Sequence, residues 1–441
     1  MRPGPGRAGT HRMNWTSNSL FFRYYPLIIL LILLSVSFYR ASEKPLTGVI
    51  WSDAEGYYLY LPAVFIYDGF EGIPYITKVQ FANYPGTEKL FTKYTCGVAL
   101  LELPFFLTAH ALALADDGMP ADGFSAYYRY GIMAAAIFYA FLGILLLRRV
   151  LERYYRPGVV FVTIVSLFFG TNMYFYTVGE PGMSHIYSFS LFALFLYLTP
   201  WFYRRGDGWS MAAMGLLSGL IVLIRPTNAV LLLYLLLFDL HSWRGLQERL
   251  RWYGRRLPGL LLFAAGSLLV FVPQFVYWKY LSGEWLLYSY GEEGFSNWKQ
   301  PKLMHVLFSI TNGWLFFAPV SIFALAGMYP GLCRWKHNIP VIALISGISL
   351  YLFASWWMWF FGGAFGYRPM VEFYALLAIP FALLAQGIYR DGSWTGRILF
   401  TLTLALLIYY TQELTYYKVG PHYTWSTWRQ AMEQVIPYWV W

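Results

Sequence analysis

The chain has 441 residues, of which 58% are hydrophobic, 21% aromatic and only 12% charged. Soluble domains carry about 25% charged residues, so a soluble enzyme, a nucleic-acid binder and a disordered chain are excluded. The formal charge of +10 reads first as loop asymmetry, because the cytoplasmic loops of membrane proteins collect Lys and Arg.

Taken in order, the chain opens with a Pro/Gly/Arg-rich stretch in which either Met1 or Met13 starts translation. Residues 1–23 are assigned as a cytoplasmic tail. Apolar blocks follow near 24–39, 127–147, 158–178, 184–203, 209–224, 227–240, 258–278, 313–329, 338–359, 369–389 and 396–413. A spanning helix needs roughly 20 mainly apolar residues. The expected fold is therefore all-α, a polytopic transmembrane helical bundle of about eleven spans, over residues 24–413. Residues 40–126 form a helical first outer loop, and 414–441 form an aromatic tail on the outer interface.

The stretch 96–115 is apolar enough to span, yet holds Glu102, Pro104 and His110. If it lies at or dips into the outer interface, about 19 of the 32 basic residues fall on the inner side with a cytoplasmic N-terminus. If it spans, every later loop inverts and the basic residues move outside. The first arrangement obeys the orientation rule. It sets 40–126, 176–185, the Arg225 turn, 279–312 and 356–368 together on the outer face of a multi-pass inner-membrane protein, so any chemistry lies there. Cys96 and Cys333 fit no metal-ligand or redox spacing.

The outer loop holds Trp51-Ser52-Asp53-Ala54-Glu55-Gly56-Tyr57-Tyr58. A carboxylate at a membrane boundary serves as a general base when partial desolvation raises its pKa. The plainer reading makes Asp53 the cap of a helix that begins near Glu55. Lys93 and Lys89 precede an apolar helix, either to hold a phosphate or to anchor at headgroup level. Arg225, at the end of an apolar run, either grips an anion or pairs with an acidic side chain. Arg368 follows Gly362-Gly363-Ala364-Phe365-Gly366-Tyr367, where small residues let a ligand approach the backbone. His185 and Arg129 each open a span, as site residues or as ordinary hydrogen-bonding and anchoring groups.

In the same order, Ser-Asp-x-Glu-Gly-Tyr-Tyr, Lys93-Tyr94-x-x-Gly97, Gly179-Glu180-Pro181-Gly182-Met183-Ser184-His185, the run ending at Arg225-Pro226 and Tyr367-Arg368-Pro369 resemble GT-C class glycosyltransferases. These integral-membrane enzymes include relatives of protein O-mannosyltransferases and the lipid A aminoarabinose transferase. The resemblance implies a sugar donor carried on polyprenyl phosphate, an acceptor lipid, glycan or protein, and inversion at the anomeric carbon. It places Asp53 as the base, with Glu55 orienting the acceptor. Arg225, Arg368, Tyr367, Lys93, Arg129 and His185 are then the donor-phosphate and substrate contacts. No metal or other cofactor is expected, and membrane lipids are the surroundings. Ala54 stands between the two carboxylates where the family often has them adjacent, which weakens the role of Glu55. The competing reading is a transporter or flippase of phosphate-bearing lipids.

Overall fold

The computed structural model describes residues 20–43, 46–74, 82–363 and 365–419. The start assignment at Met1 or Met13 and nearly all of the proposed C-terminal tail lie outside these residues.

Helix α1 (Leu20–Glu43) is followed by the outer-loop elements. These are α2 (Asp53–Tyr58), α3 (Tyr60–Phe65) and a two-strand antiparallel ribbon, β1 (Ala82–Asn83) with β2 (Leu90–Phe91). Then come α4 (Gly97–Leu114), α5 (Ala126–Leu151), α6 (Pro157–Phe169), α7 (Met173–Val178), α8 (Ser184–Arg205) and α9 (Gly208–Ile224). A 3-10 turn, Pro226–Leu231, leads to α10 (Leu232–Leu237), α11 (Trp243–Gly254) and α12 (Leu257–Ser282). The last part holds α13 (Leu303–Phe308), α14 (Trp314–Phe317), α15 (Ser321–Cys333) and α16 (Ile339–Ser355). A 3-10 turn, Arg368–Met370, then precedes α17 (Tyr374–Asp391) and α18 (Trp394–Val419).

The described chain is thus nearly all helical, and six of its helices are long and apolar enough to cross a membrane: α1, α4, α5, α8, α12 and α18. Helix length does not carry the expected eleven spans. The 158–178 block is broken between α6 and α7 at Gly170–Asn172, and the 313–329 block between α14 and α15. The 227–240 block begins as a 3-10 turn. Helix α1 already includes Leu20 to Arg23, and α18 runs on through residue 419 rather than stopping at 413.

Burial follows the bundle. Most of the first half of α17 is sealed from solvent, while Leu261, Leu268, Leu269 and Val276 of α12 are exposed. Exposed apolar area of that extent suits a lipid surround and not water. On its other face α12 lies so close to α9 that a Cβ at Gly215 or Gly219 would collide with the Phe263 or Ser267 carbonyl. Small residues allow such close backbone approach between apolar helices.

The connections assigned to the inner side meet at one end of the body. Arg148 donates to the Arg23 carbonyl at 3.0 Å, Arg153 to Tyr197 at 2.9 Å and Arg256 to Gly206 at 3.0 Å. His337 lies 4.4 Å from the Tyr154 ring, and Asn338 accepts from the Asp239 amide at 2.6 Å.

Helix α4 is a single helix, and its register against α5 fixes its reach. Tyr139 donates to the Leu101 carbonyl at 3.1 Å, and His110 meets Tyr128 at 2.5 Å. At 1.5 Å per residue, Gly97 lies level with about residue 143 of α5, and α5 continues roughly 12 Å further towards the basic end. Although long and apolar enough to span, α4 accompanies only the first part of its neighbour.

Candidate functional site

The opposite end of the body holds a cavity of about 450 Å³. Its walls come from six separated stretches: the α2 region, Lys93–Tyr94, Glu180 to His185, the Arg225 turn, and two late segments around 288–295 and 352–368. These are the stretches that the charge count grouped on one face.

Asp53 is the first residue of α2 and not the cap of a helix beginning near Glu55. Oδ2 sits 2.8 Å from Arg368 Nη2, and Oδ1 accepts from the Tyr94 hydroxyl at 2.6 Å. Gly56 makes this possible, since a Cβ there would collide with the Tyr94 ring. Just before Asp53, Ser52 has φ 55° and ψ −128°, a conformation that costs an L-residue about 1–3 kcal/mol and tends to occur at functional sites. Burial pushes the Asp53 carboxyl upward, but the Arg368 charge, the Tyr94 hydrogen bond and the Lys93 charge outweigh it. The net result is a pKa below the ordinary carboxylate value, so Asp53 is ionised at neutral pH. Burial opposes the charge on Arg368 too, yet Asp53 and the surrounding tyrosines raise its pKa.

A second charged group shares the wall. Arg225 ends α9 and donates through Nη1 to Glu372 Oε1 at 3.1 Å. The same nitrogen lies 3.1 Å from His185 Nδ1, which is also 3.1 Å from Glu372 Oε2. His185 Nδ1 accepts from Arg225 in one tautomer and donates to Glu372 in the other. Glu372 is fully buried and stands behind the wall. The acidic partner considered for Arg225 is therefore present. Pairing also fixes the guanidinium, whose side chain remains 15% exposed, against 18% for that of Arg368.

Lys93 reaches the cavity and pairs with Glu293 at 2.6 Å. The segment that carries Glu293 is fastened elsewhere as well. Ser289 donates to the Lys93 carbonyl at 2.6 Å, and Asn297 donates to the Trp356 carbonyl at 2.9 Å. Tyr288, Tyr290, Phe295 and Trp356 give this side an aromatic wall.

Of the residues expected at the site, Asp53, Lys93, His185, Arg225 and Arg368 are brought together; three others are not. Glu55 is fully buried and off the cavity wall. Residues two apart on a helix face away from each other, so the helix that presents Asp53 turns Glu55 aside. Tyr367 is buried with its ring edge-on to Phe361 at 5.9 Å, and Arg129 is half-buried in the first turn of α5. Neither lines the cavity. His305 packs against Trp359 at 5.3 Å, also away from it. Ala364 falls outside the described residues.

Tyr94, Glu293, the aromatic segment around it and Glu372 were not among the residues expected at the site. Tyr94 had a signal, its place directly after Lys93, but an interfacial Tyr reads equally as a belt residue. Among the described residues, no group of three His, Cys, Asp or Glu side chains is placed to hold a metal ion. No protein-family model and no curated protein matches the sequence.

Chemically, the cavity offers two guanidinium groups, each occupied by a carboxylate and each partly open to an incoming anion. A phosphate entering here would compete with Asp53 for Arg368 and with Glu372 for Arg225. Arg recognises phosphate through paired, charge-assisted hydrogen bonds, so such an exchange is chemically well founded.

Proposed function

We propose that the chain is an integral-membrane glycosyltransferase of the GT-C kind, moving a sugar from a polyprenyl-phosphate carrier to an acceptor hydroxyl. The observation that carries this reading is the Asp53–Arg368 pair at 2.8 Å on the wall of the cavity. It sets a base and a phosphate-binding cation side by side, with Arg225 on the same wall.

The donor phosphate binds Arg368 and Arg225. Asp53 thereby loses its strongest counter-charge, and only Tyr94 and Lys93 are left to offset the upward push of burial, so its proton affinity rises. Tyr94 continues to orient the carboxylate. Asp53 then takes the acceptor proton as the acceptor oxygen bonds to the anomeric carbon from the face opposite the phosphate. The bond from carbon to phosphate oxygen breaks, its electron pair stays with the phosphate, and the arginines stabilise the charge that develops there. The product is an inverted glycoside and free polyprenyl phosphate.

By the orientation rule the basic end faces the cytoplasm and the cavity faces outward from the inner membrane. The interrupted apolar blocks then count as spans, because successive blocks alternate between the two ends.

Vesicles containing the purified chain and radiolabelled polyprenyl-phosphate sugar test the proposal. With envelope extract as acceptor, label should leave the carrier as free polyprenyl phosphate accumulates. Label that crosses the bilayer on intact donor would instead establish the flippase alternative.

A further inference from the structure

Helix α12 carries two kinds of surface. Leu268, Leu269, Val272 and Val276 are exposed, while Gln274, Tyr277 and Leu281 are buried. Spacings of three and four set the buried residues on one helical face. A polar side chain in an apolar helix is costly, and such residues tend to face the protein interior and to serve function. Gln274 is fully buried, yet it does not line the charged cavity.

Its partners lie on the segment between β2 and α4. Residues 92–96 belong to no helix or strand, so their backbone groups need partners from elsewhere. Tyr277 holds one end, its hydroxyl accepting from the Thr92 amide at 3.0 Å and donating to the Thr92 carbonyl at 3.3 Å. Gln274 holds the other. Its Oε1 accepts from the Cys96 amide at 2.8 Å, and its Nε2 donates to the Tyr60 hydroxyl at 3.4 Å. Tyr60 in turn donates to the Tyr94 carbonyl at 2.6 Å.

This chain uses both halves of the carboxamide, its carbonyl acceptor and its NH₂ donor. An ionised Glu lacks the donor, and an apolar side chain lacks both. Tyr94 is thereby held at its own carbonyl and at the amide two residues on. Its hydroxyl is the group that meets Asp53 Oδ1 at 2.6 Å.

We propose that Gln274 is a positioning residue for sugar transfer, holding the Tyr94 backbone so that the Tyr94 hydroxyl aims the Asp53 carboxylate at the acceptor. This rests on the glycosyltransferase reading above and extends it to α12, none of whose residues lines the cavity. A misplacement of about 1 Å at a reacting group can cost about a hundred-fold in rate. Losing Gln274 therefore lowers kcat, while donor binding, which belongs to Arg368 and Arg225, is kept.

Sugar transfer and donor affinity are measured on the reconstituted full chain for Gln274→Met, Tyr94→Phe and the double variant. Met keeps the length of Gln and has neither an amide donor nor a carbonyl. Each single change should lower kcat about ten-fold and leave donor affinity within about two-fold of the unaltered chain. The double variant should fall no more than about two-fold below Tyr94→Phe, because Gln274 acts through that hydroxyl. Tyr60→Phe removes one hydroxyl, keeps the ring contacts with Phe70 and Tyr277, and should lower kcat several-fold. It decides the matter if Gln274→Met does not fold. Losses that multiply to about a hundred-fold in the double variant overturn the role of Gln274, as does a folded Gln274→Met with unaltered kcat. A loss of donor affinity as large as the loss of kcat also overturns it, because the residue would then serve the fold at large. These results leave the enzymatic reading standing. An unaltered chain that transfers no sugar overturns the enzymatic reading, and the role of Gln274 with it.

Discussion

At the basic end, Arg205 meets Asp207, Arg244 meets Glu248 and Arg390 meets Asp391, all on well-exposed side chains. At the cavity end, Asp53 meets Arg368 and Glu372 meets Arg225 with most of each side chain withdrawn from solvent. Exposed pairs contribute about 0–1 kcal/mol and can be lost without consequence. Buried pairs carry desolvation penalties of several kcal/mol per ion, offset only by good geometry and further hydrogen bonds. A chain with so few charges sets two such pairs at this end, which fits a role other than stability. On the proposed reading, charge at the first end orients the protein and charge at the second does its chemistry.

The comparison breaks most visibly at Arg368. Arg368→Gln leaves Asp53 buried without its main counter-charge, and breaking a buried pair costs about 3–5 kcal/mol. Sugar transfer should fall at least about a hundred-fold. The pH dependence has a definite sign. The folded-state pKa of Asp53 is depressed, so its stabilising contribution is present above the unfolded-state pKa and is lost as pH falls through the folded value. Removing Arg368 takes away the largest lowering influence, so acid unfolding should begin at higher pH. Unfolding midpoints measured across an acid series check this, and an unchanged acid edge would contradict the pairing.

Glu372→Ala comes next. It strips Arg225 and His185 of their shared partner, and about 3 kcal/mol of stability should go with it, read as a lower unfolding midpoint. Lys93→Ala opens a partly exposed pair worth about 1 kcal/mol or less. Its effect should appear mainly as a several-fold higher KM, because the Glu293 segment loses one of its ties to the cavity wall. Arg205→Gln at the basic end should leave both the unfolding midpoint and transfer unchanged. A large loss there would erase the distinction between the ends.

Much of this division is legible in the sequence. Loop charge alone groups the stretches that line the cavity, and an arginine ending an apolar run, such as Arg225, stands out because such residues are rare. What one dimension does not carry is pairing across it. Asp53 and Arg368 are 315 positions apart in the chain, and Glu372 gains meaning only from the helix ends that bring Arg225 and His185 to it. Glu55 shows the opposite failure. The resemblance sets Glu55 with Asp53 as the group that orients the acceptor, but helical geometry turns the two apart. Span number is obscured for a related reason: apolar composition marks a block at membrane depth but does not show that Gly170 or Pro226 interrupts its helix.

The most direct measurement takes donor binding and sugar transfer on the same sample of Asp53→Asn. With Asp53 neutral, Arg368 is freed for phosphate while no base remains to take the acceptor proton. The account predicts donor binding at least as tight as in the unaltered chain, with transfer reduced by about 10²–10⁴-fold. Transfer at the unaltered rate by a folded Asp53→Asn protein would contradict it.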